Sequence, residues 1–327
     1  MLPTITVLST GGTIASTGSE AGATPSKRGA ELVEAVPELE THADLTVEEI
    51  AQVPSYDMTF DTMAELTAAV RRVAATGTDG VVVTHGTDTI EESAYFLDLT
   101  LECPIPVVFT GAQRRPDETS PDGPANLLTA IRATSHEQFS SGVYVATNDE
   151  VHAARDVTKT HTSALETFGS PSTGPIATLT RSDVRIIREP RSYSATFDVG
   201  SVTSDIAIVA SGADMGRRQI DHALEDDVDG IIVNGTGLGN TTSELGDGVA
   251  DAVAADTPVV VVSRCQAGTT APVYGGGGGG ATLQSHGAVH GDDLPAHKAR
   301  IKLAVVCAVT DDLTDRQRLF VGEGSER

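Results

Sequence analysis

Two stretches of this chain place a threonine hydroxyl just beyond an apolar, strand-like run. Thr10-Gly11-Gly12-Thr13-Ile14-Ala15 follows Ile5-Thr6-Val7-Leu8, and Thr84-His85-Gly86-Thr87-Asp88-Thr89 follows Val81-Val82-Val83. The chemistry open to such a hydroxyl is nucleophilic attack, once a base takes its proton and nearby donors steady the developing oxyanion. Thr13 is one candidate and Thr87 the other. A turn threonine bonded to its own backbone is the competing reading of Thr13, and local sequence alone favours it. Two hydroxyls so placed point to chemistry carried by threonine, with no metal or serine–histidine pair required. The nine histidines form no HExxH-type set, and Cys103, Cys265 and Cys307 lack ligand spacing, so a zinc site is unsupported. Buried free thiols in a reducing compartment are the expected state of the three cysteines.

The elements that must hold these turns alternate in type. Strands are expected at 4–9, 45–53, 80–84, 105–109 and 142–147, with helices at 61–76, 88–100 and 122–137 between them. Asp88 or Thr89 is a natural N-cap for the second helix, and Glu91 and Glu92 suit the positive end of its dipole. From about 168 to 203 the pattern loosens, and 169–175 and 188–192 read as loop and linker. It resumes with strands at 205–210, 229–233 and 258–262 and helices at 216–224, 243–255 and 295–308. The expectation is a two-domain α/β protein: a larger N-terminal, mainly parallel sheet flanked by helices over 1–188, a linker over 189–204, and a smaller C-terminal α/β domain over 205–327. Open sheets of this kind bind ligands beyond the carboxyl ends of their strands, where both threonine turns fall. The hexaglycine run 275–280 reads as a flexible loop, with a mobile segment near a neighbouring subunit's site as the alternative.

Composition narrows the partners. Forty-six acidic against twenty-two basic residues give a net charge of −24, and the only lysines are 27, 159, 298 and 302. Such a surface repels phosphates, so nucleic acid is not an expected partner. It gathers hydrated cations and repels itself at low salt, the balance of a halophile's protein, and a halophilic archaeon is the expected source. No stretch is long and apolar enough to span a membrane, and the N-terminus opens on a strand without a leader-like segment, which makes the cytoplasm the expected location.

At the residues already quoted the chain resembles the bacterial-type L-asparaginase family, also called the asparaginase/glutaminase family. The resemblance rests on TGGTIA at 10–15 and GVVVTHGTDTIEESAYFLDLT at 80–100. It extends through Ser55-Tyr56-Asp57-Met58, Phe109-Thr110-Gly111-Ala112-Gln113-Arg114, Asp122-Gly123-Pro124-Ala125-Asn126-Leu127 and Asp156-Val157-Thr158-Lys159-Thr160. Gly237-Leu238-Gly239-Asn240 and His297-Lys298-Ala299-Arg300-Ile301-Lys302-Leu303 complete it, in the family's order and over almost the whole chain.

The resemblance implies hydrolysis of L-asparagine to L-aspartate and ammonia, without a cofactor, through a threonine nucleophile and an acyl-enzyme. It makes Thr13 the nucleophile, and it brings Thr87, Asp88 and Lys159 together although Lys159 lies far along the chain. A Thr–Lys pair can accept and return a proton, while Asp88 favours the charged ammonium. Capping for Asp88 and a solvated surface position for Lys159 are the plain alternatives. Asp88 matches the acid that binds the substrate ammonium, and Ser55 with the Tyr56 backbone matches part of the carboxylate cradle. Ala112 matches a backbone carbonyl that meets the side-chain amide. Asn240 matches a residue that reaches a partner subunit's site, which implies a homodimer or homotetramer. Ser55 and Asn240 also suit turn and cap roles.

Two departures stand out. No tyrosine lies between Ala15 and Gly29, where many members carry one bonded to the nucleophile; Lys27 or a tyrosine from elsewhere are the available replacements. No glutamate lies between Thr269 and Gln284, where many members carry one given to a partner's site. Two other readings remain. One is the asparaginase-like subunit of archaeal glutamyl-tRNA amidotransferase, disfavoured by its extra N-terminal domain and by this chain's charge. The other is a non-catalytic amino-acid sensor, which has no need of Thr13, Thr87, Asp88 and Lys159 together. Asparagine and glutamine differ by one methylene, a discrimination of only about 1–3 kcal/mol.

Overall fold

The computed structural model describes residues 2–18 and 24–322. They form two compact units, one up to Thr196 and one from Phe197. In the first unit β1 (Thr4–Gly11) leads to a hairpin of β2 (Ser16–Thr17) and β3 (Thr24–Pro25), then α1 (Gly29–Glu34), β4 (Asp44–Val53) and α2 (Phe60–Ala75). There follow β5 (Gly80–Thr84), α3 (Ile90–Thr100), β6 (Val107–Thr110), α4 (Gly123–Thr134), β7 (Val143–Thr147) and β8 (Glu150–Ala153). A short pair, β9 (Thr158–Lys159) and β10 (Phe168–Gly169), precedes β11 (Ala177–Leu179) and β12 (Val184–Ile186).

Eight of these strands make one sheet in the order β12-β11-β8-β7-β6-β5-β1-β4. The run from β4 to β7 is parallel, while β8, β11 and β12 are added antiparallel. Val81, Val82 and Val83 are fully buried, as expected of a central strand covered on both faces. Each such side chain contributes roughly 1.5–3 kcal/mol, so the end of β5 is held firmly. Ser9 of β1 pairs with Thr84 of β5, and Thr84 with Thr110 of β6, so β5 and β6 end level with one another while β1 runs on to Gly11. From β1 the chain leaves to one side, to β4; from β5 it leaves to the other, to β6. The crevice between β1 and β5 is therefore the sheet's topological switch point, and Thr13 and Thr87 stand on the turns that flank it.

The second unit comprises β13 (Ile206–Ala210), α5 (Arg218–Glu225), β14 (Gly230–Gly235), α6 (Ser243–Ala254) and β15 (Val259–Ser263). It continues through α7 (Gly280–Ser285), β16 (Val289–His290), α8 (Ala296–Val309) and α9 (Leu313–Val321). Its sheet, β13-β14-β15-β16, is wholly parallel, over a core that includes Val209, Ile231, Val233, Leu245 and Val261. The two-domain α/β architecture is the expected one. No helix among the described residues is long and apolar enough to cross a membrane.

Within the loosened stretch after 168, residues 170–175 and 188–192 hold no helix or strand. Between them β11 and β12 extend the large sheet and bury Ala177, Leu179 and Val184; three-residue strands are too short to show a period. Three expectations need correction. Thr89 occupies the N-cap of α3, but its hydroxyl donates to Ser55 O at 2.6 Å instead of capping, and Asp88 is engaged elsewhere. The glycine run is not a loose loop throughout. A Cβ on Gly278 would stand 2.3 Å from Thr241 O and 2.4 Å from Thr242 O, so the run is glycine here because backbone packs on backbone. Of the three free cysteines only Cys307 is buried; Cys265 is exposed and Cys103 is intermediate.

Candidate active site

Four turns at the carboxyl edge of the first unit's sheet close on one another. Gly12, at φ +82°, comes so near the β5 turn that an added Cβ would lie 2.2 Å from Gly86 N. A Cβ on Gly86 would in turn lie 2.5 Å from Ser55 Oγ, in the turn that follows β4. Only glycine permits both approaches. The turn after β6 completes the set, with Gly111 packed against His85 O and the Thr87 methyl.

Thr13 opens a single 3-10 turn, Thr13–Ala15, whose Ile14 and Ala15 are buried against Leu32 and Ala112. That turn is closed by the Ala15 N–H and the Ser16 hydroxyl, both donating to Gly12 O, at 3.0 and 2.8 Å. Among the described residues the Thr13 hydroxyl makes no hydrogen bond, so the work of a turn-holding hydroxyl falls to Ser16.

Thr87 is buried, and its Oγ1 accepts a hydrogen bond from Lys159 Nζ at 3.0 Å. Lys159 Nζ also donates to Asp88 Oδ1 at 2.8 Å. The lysine side chain is 15% exposed and the aspartate 59%, so the pair seals one side and presents carboxylate to the other. Lys159 is thus no solvated surface lysine. Its own backbone N–H donates to Glu91 Oε1 at 3.0 Å, in the first turn of α3, and Glu91 is buried. Local sequence assigns Glu91 only a helix-dipole role. Its grip on a residue 68 positions away has no local signature.

Ser55 is buried in the 3-10 turn Ser55–Asp57, and its Oγ accepts the Asp88 N–H at 3.2 Å. The hydroxyl's own proton is left to donate. Tyr56, in the same turn, is 68% exposed. Ala112 is buried on the turn after β6. Asn126 of α4 fixes that turn by donating from Nδ2 to Gly111 O at 2.9 Å, and Asp122 accepts the N–H groups of Gln113 and Arg114 at 3.0 and 2.8 Å. The Asp-Gly-Pro-Ala-Asn segment therefore acts on the site through the neighbouring turn.

His85 is fully buried between β5 and Gly86. Its Nδ1 lies 2.7 Å from Gly86 O, and burial pushes its pKa down to about 4, so the ring is neutral at physiological pH. Lys27, one of the two replacements considered for the loop tyrosine, lines a cavity of about 190 Å³ with Ile14, Leu32, Arg114 and Leu127; Thr13 does not line it. Residues 19–23 of that loop lie outside the described residues.

Seven of the eight expected residues thus stand on or beside the four turns: Thr13, Ser55, Tyr56, Thr87, Asp88, Ala112 and Lys159. Asn240 belongs to the second unit. There it closes a turn with Thr236, and its Oδ1 accepts the Gly280 N–H at 3.0 Å, tying the first residue of α7 to the turn.

The chain matches the family described as asparaginase, N-terminal, over residues 4–192, and the glutaminase/asparaginase C-terminal domain over residues 205–320. It is 37% identical to a probable L-asparaginase of Deinococcus radiodurans, covering 98% of this chain and 97% of that protein. It is 35% identical to a glutamyl-tRNA(Gln) amidotransferase subunit of Halobacterium salinarum, covering 95% of this chain and 77% of that one. A crystal structure of a probable cytoplasmic L-asparaginase from Campylobacter jejuni superposes with a TM-score of 0.88 at 32% identity, over 98% of this chain and all of that one. With both domains matched in tandem over nearly its full length, the chain belongs to the asparaginase/glutaminase family.

Proposed function

We propose that this protein is an L-asparaginase. The observation that carries the reading is Lys159 bridging Thr87 and Asp88 beside a Thr13 hydroxyl committed to no described neighbour. Thr13 Oγ attacks the side-chain amide carbon of L-asparagine, its proton passes to the departing nitrogen, and ammonia leaves an acyl-enzyme. Water, positioned by Thr87, then adds to the acyl carbon and releases L-aspartate. Lys159 occupies one lone pair of Thr87, which leaves that hydroxyl to relay a proton towards the reacting centre. Asp88 receives the substrate ammonium through its exposed carboxylate. The Ser55 proton and the Tyr56 backbone receive the α-carboxylate. The Ala112 carbonyl receives the amide N–H groups, and Asn240 completes a partner's site in a homodimer or homotetramer.

Residues 1–188 supply the chemistry in this reading, 189–204 link, and 205–327 carry Asn240. The proposed setting is the cytoplasm of a halophilic archaeon, because the −24 charge is suited to concentrated salt. The test is ammonia release from L-asparagine and L-glutamine in molar salt. The expected result is release from L-asparagine that falls about a thousandfold or more in Thr13→Ala and in Thr87→Ala, with both variants folded. A folded wild type that releases ammonia from neither amino acid would overturn the reading.

Similarity to the Halobacterium salinarum amidotransferase component supports a second reading, ammonia supply to a tRNA-dependent partner. Co-purification with a second large subunit, together with negligible free asparaginase activity, would select it.

A further inference from the structure

We infer that Glu91 is a positioning residue, whose carboxylate fixes the main chain of Lys159 and thereby the reach of its ammonium to Thr87. This rests on the roles proposed above for Lys159 and Thr87. The strand that carries Lys159 is only two residues long, and its partner strand is no longer. In that pair Lys159 stands opposite Phe168, while the adjacent Thr160 N–H bonds to Thr167 O at 2.7 Å. Alternation along an antiparallel pair therefore turns the Lys159 N–H away from its neighbour strand. Glu91 Oε1 accepts that outward N–H at 3.0 Å, in the place a further strand would fill.

Both ends of Lys159 are consequently held by one short segment. Thr87 and Asp88 take the Nζ atom, and Glu91, one helical turn on, takes the backbone N–H. Two-residue strands have little cooperative stability of their own. Without Glu91 the lysine backbone is held by its turn alone, and a shift of about 1 Å at the base of the side chain carries through to Nζ. Misplacement on that scale is enough to cost about a hundredfold in rate.

The variants that test this are Glu91→Ala, Glu91→Asp and Glu91→Gln, with Lys159→Met alongside. Aspartate keeps the charge and withdraws the oxygen by roughly 1.5 Å, one carbon–carbon bond. Glutamine removes the charge and keeps an acceptor oxygen in place. In Glu91→Ala and Glu91→Asp, kcat for L-asparagine per folded enzyme is expected to fall about ten- to hundredfold, with KM within about twofold. Glu91→Gln recovers most of the loss. A structural role alone would lower thermal stability without this split. Protection of the Lys159 amide from hydrogen exchange should fall in Ala and Asp and persist in Gln, a readout independent of activity.

If Glu91→Ala does not fold, the Asp and Gln variants decide. A folded Glu91→Asp with unchanged kcat and unchanged Lys159 amide protection would overturn the inference, as would a loss that Gln shares in full. If Lys159→Met turns over normally, the proposed role of the lysine fails instead, and amide exchange alone still decides whether Glu91 holds it.

Discussion

At the scale of single residues, His85 shows how the site is kept rigid without adding charge. A carbonyl only accepts, so the 2.7 Å contact with Gly86 O puts the ring proton on Nδ1, which fixes the peptide leading into Thr87. Desolvation holds the folded-state pKa near 4, against the ordinary value of 6.5 that stands for the unfolded chain. Below pH 6.5 the unfolded state takes up a proton that folded His85 refuses. Its contribution is therefore fully present above about 6.5, is lost as pH falls towards 4, and changes no further below that. Between about pH 7.5 and 4.5 the loss amounts to about 2–3 kcal/mol, on the scale of about 1.36 kcal/mol per unit. Denaturant titrations of wild type and His85→Asn at several pH values check this, because the carboxylates titrate alike in both. A wild-type pH slope no steeper than the variant's would show that His85 is not held neutral by burial.

At the scale of elements, short connections matter as much as the sheet. The glycine run illustrates this through two of its members. A Cβ on Gly275 meets nothing within 4 Å, whereas one on Gly278 runs into two carbonyl oxygens at the start of α6. Gly275→Ala should leave stability within about 0.5 kcal/mol, since it also restricts the unfolded chain. Gly278→Ala should cost about 2 kcal/mol or more through forced backbone movement. Equal, small effects of the two in thermal unfolding would restore the loose-loop reading. The same segment marks the limit of what the sequence reveals. Central strands are legible because Val81-Val82-Val83 and Val259–Val262 are continuous apolar runs, and the threonine turns because they follow such runs. The glycine run is not, since a missing side chain looks the same whether a segment moves freely or packs against backbone. Glu91 is equally opaque, for its partner is 68 residues away and a first-turn glutamate already has a sufficient local reason.

At the scale of the whole molecule, the charge balance is met by position as well as by number. Asp149, Asp214, Asp227, Asp256 and Asp292 all take positive φ, where asparagine and glycine are the usual occupants, so acid has spread even into turn positions. The scarce lysines do little to offset it outside. Lys159 is committed to Asp88 and Thr87, Lys298 is fully buried, and Lys302 lies 4.9 Å over the Phe320 ring. Twenty-two basic residues face forty-six acidic ones, so counter-charge must come from dissolved cations. The screening length is about 10 Å at 0.1 M salt and about 3 Å at 1 M, so repulsion across the surface weakens steeply over that range. The Lys159–Asp88 contact is short and only partly wetted, and salt screens it far less. Raising KCl from about 0.1 to about 2 M is therefore expected to raise Tm by ten degrees or so, roughly 3–5 kcal/mol on the scale of domains this size. The Lys159 amide protection should stay unchanged wherever the protein is folded. Thermal unfolding across a KCl series checks the first expectation. A Tm independent of salt, with full activity at the lowest KCl concentration, would mean that the acidic surface is tolerated without cations and that the high-salt setting is wrong.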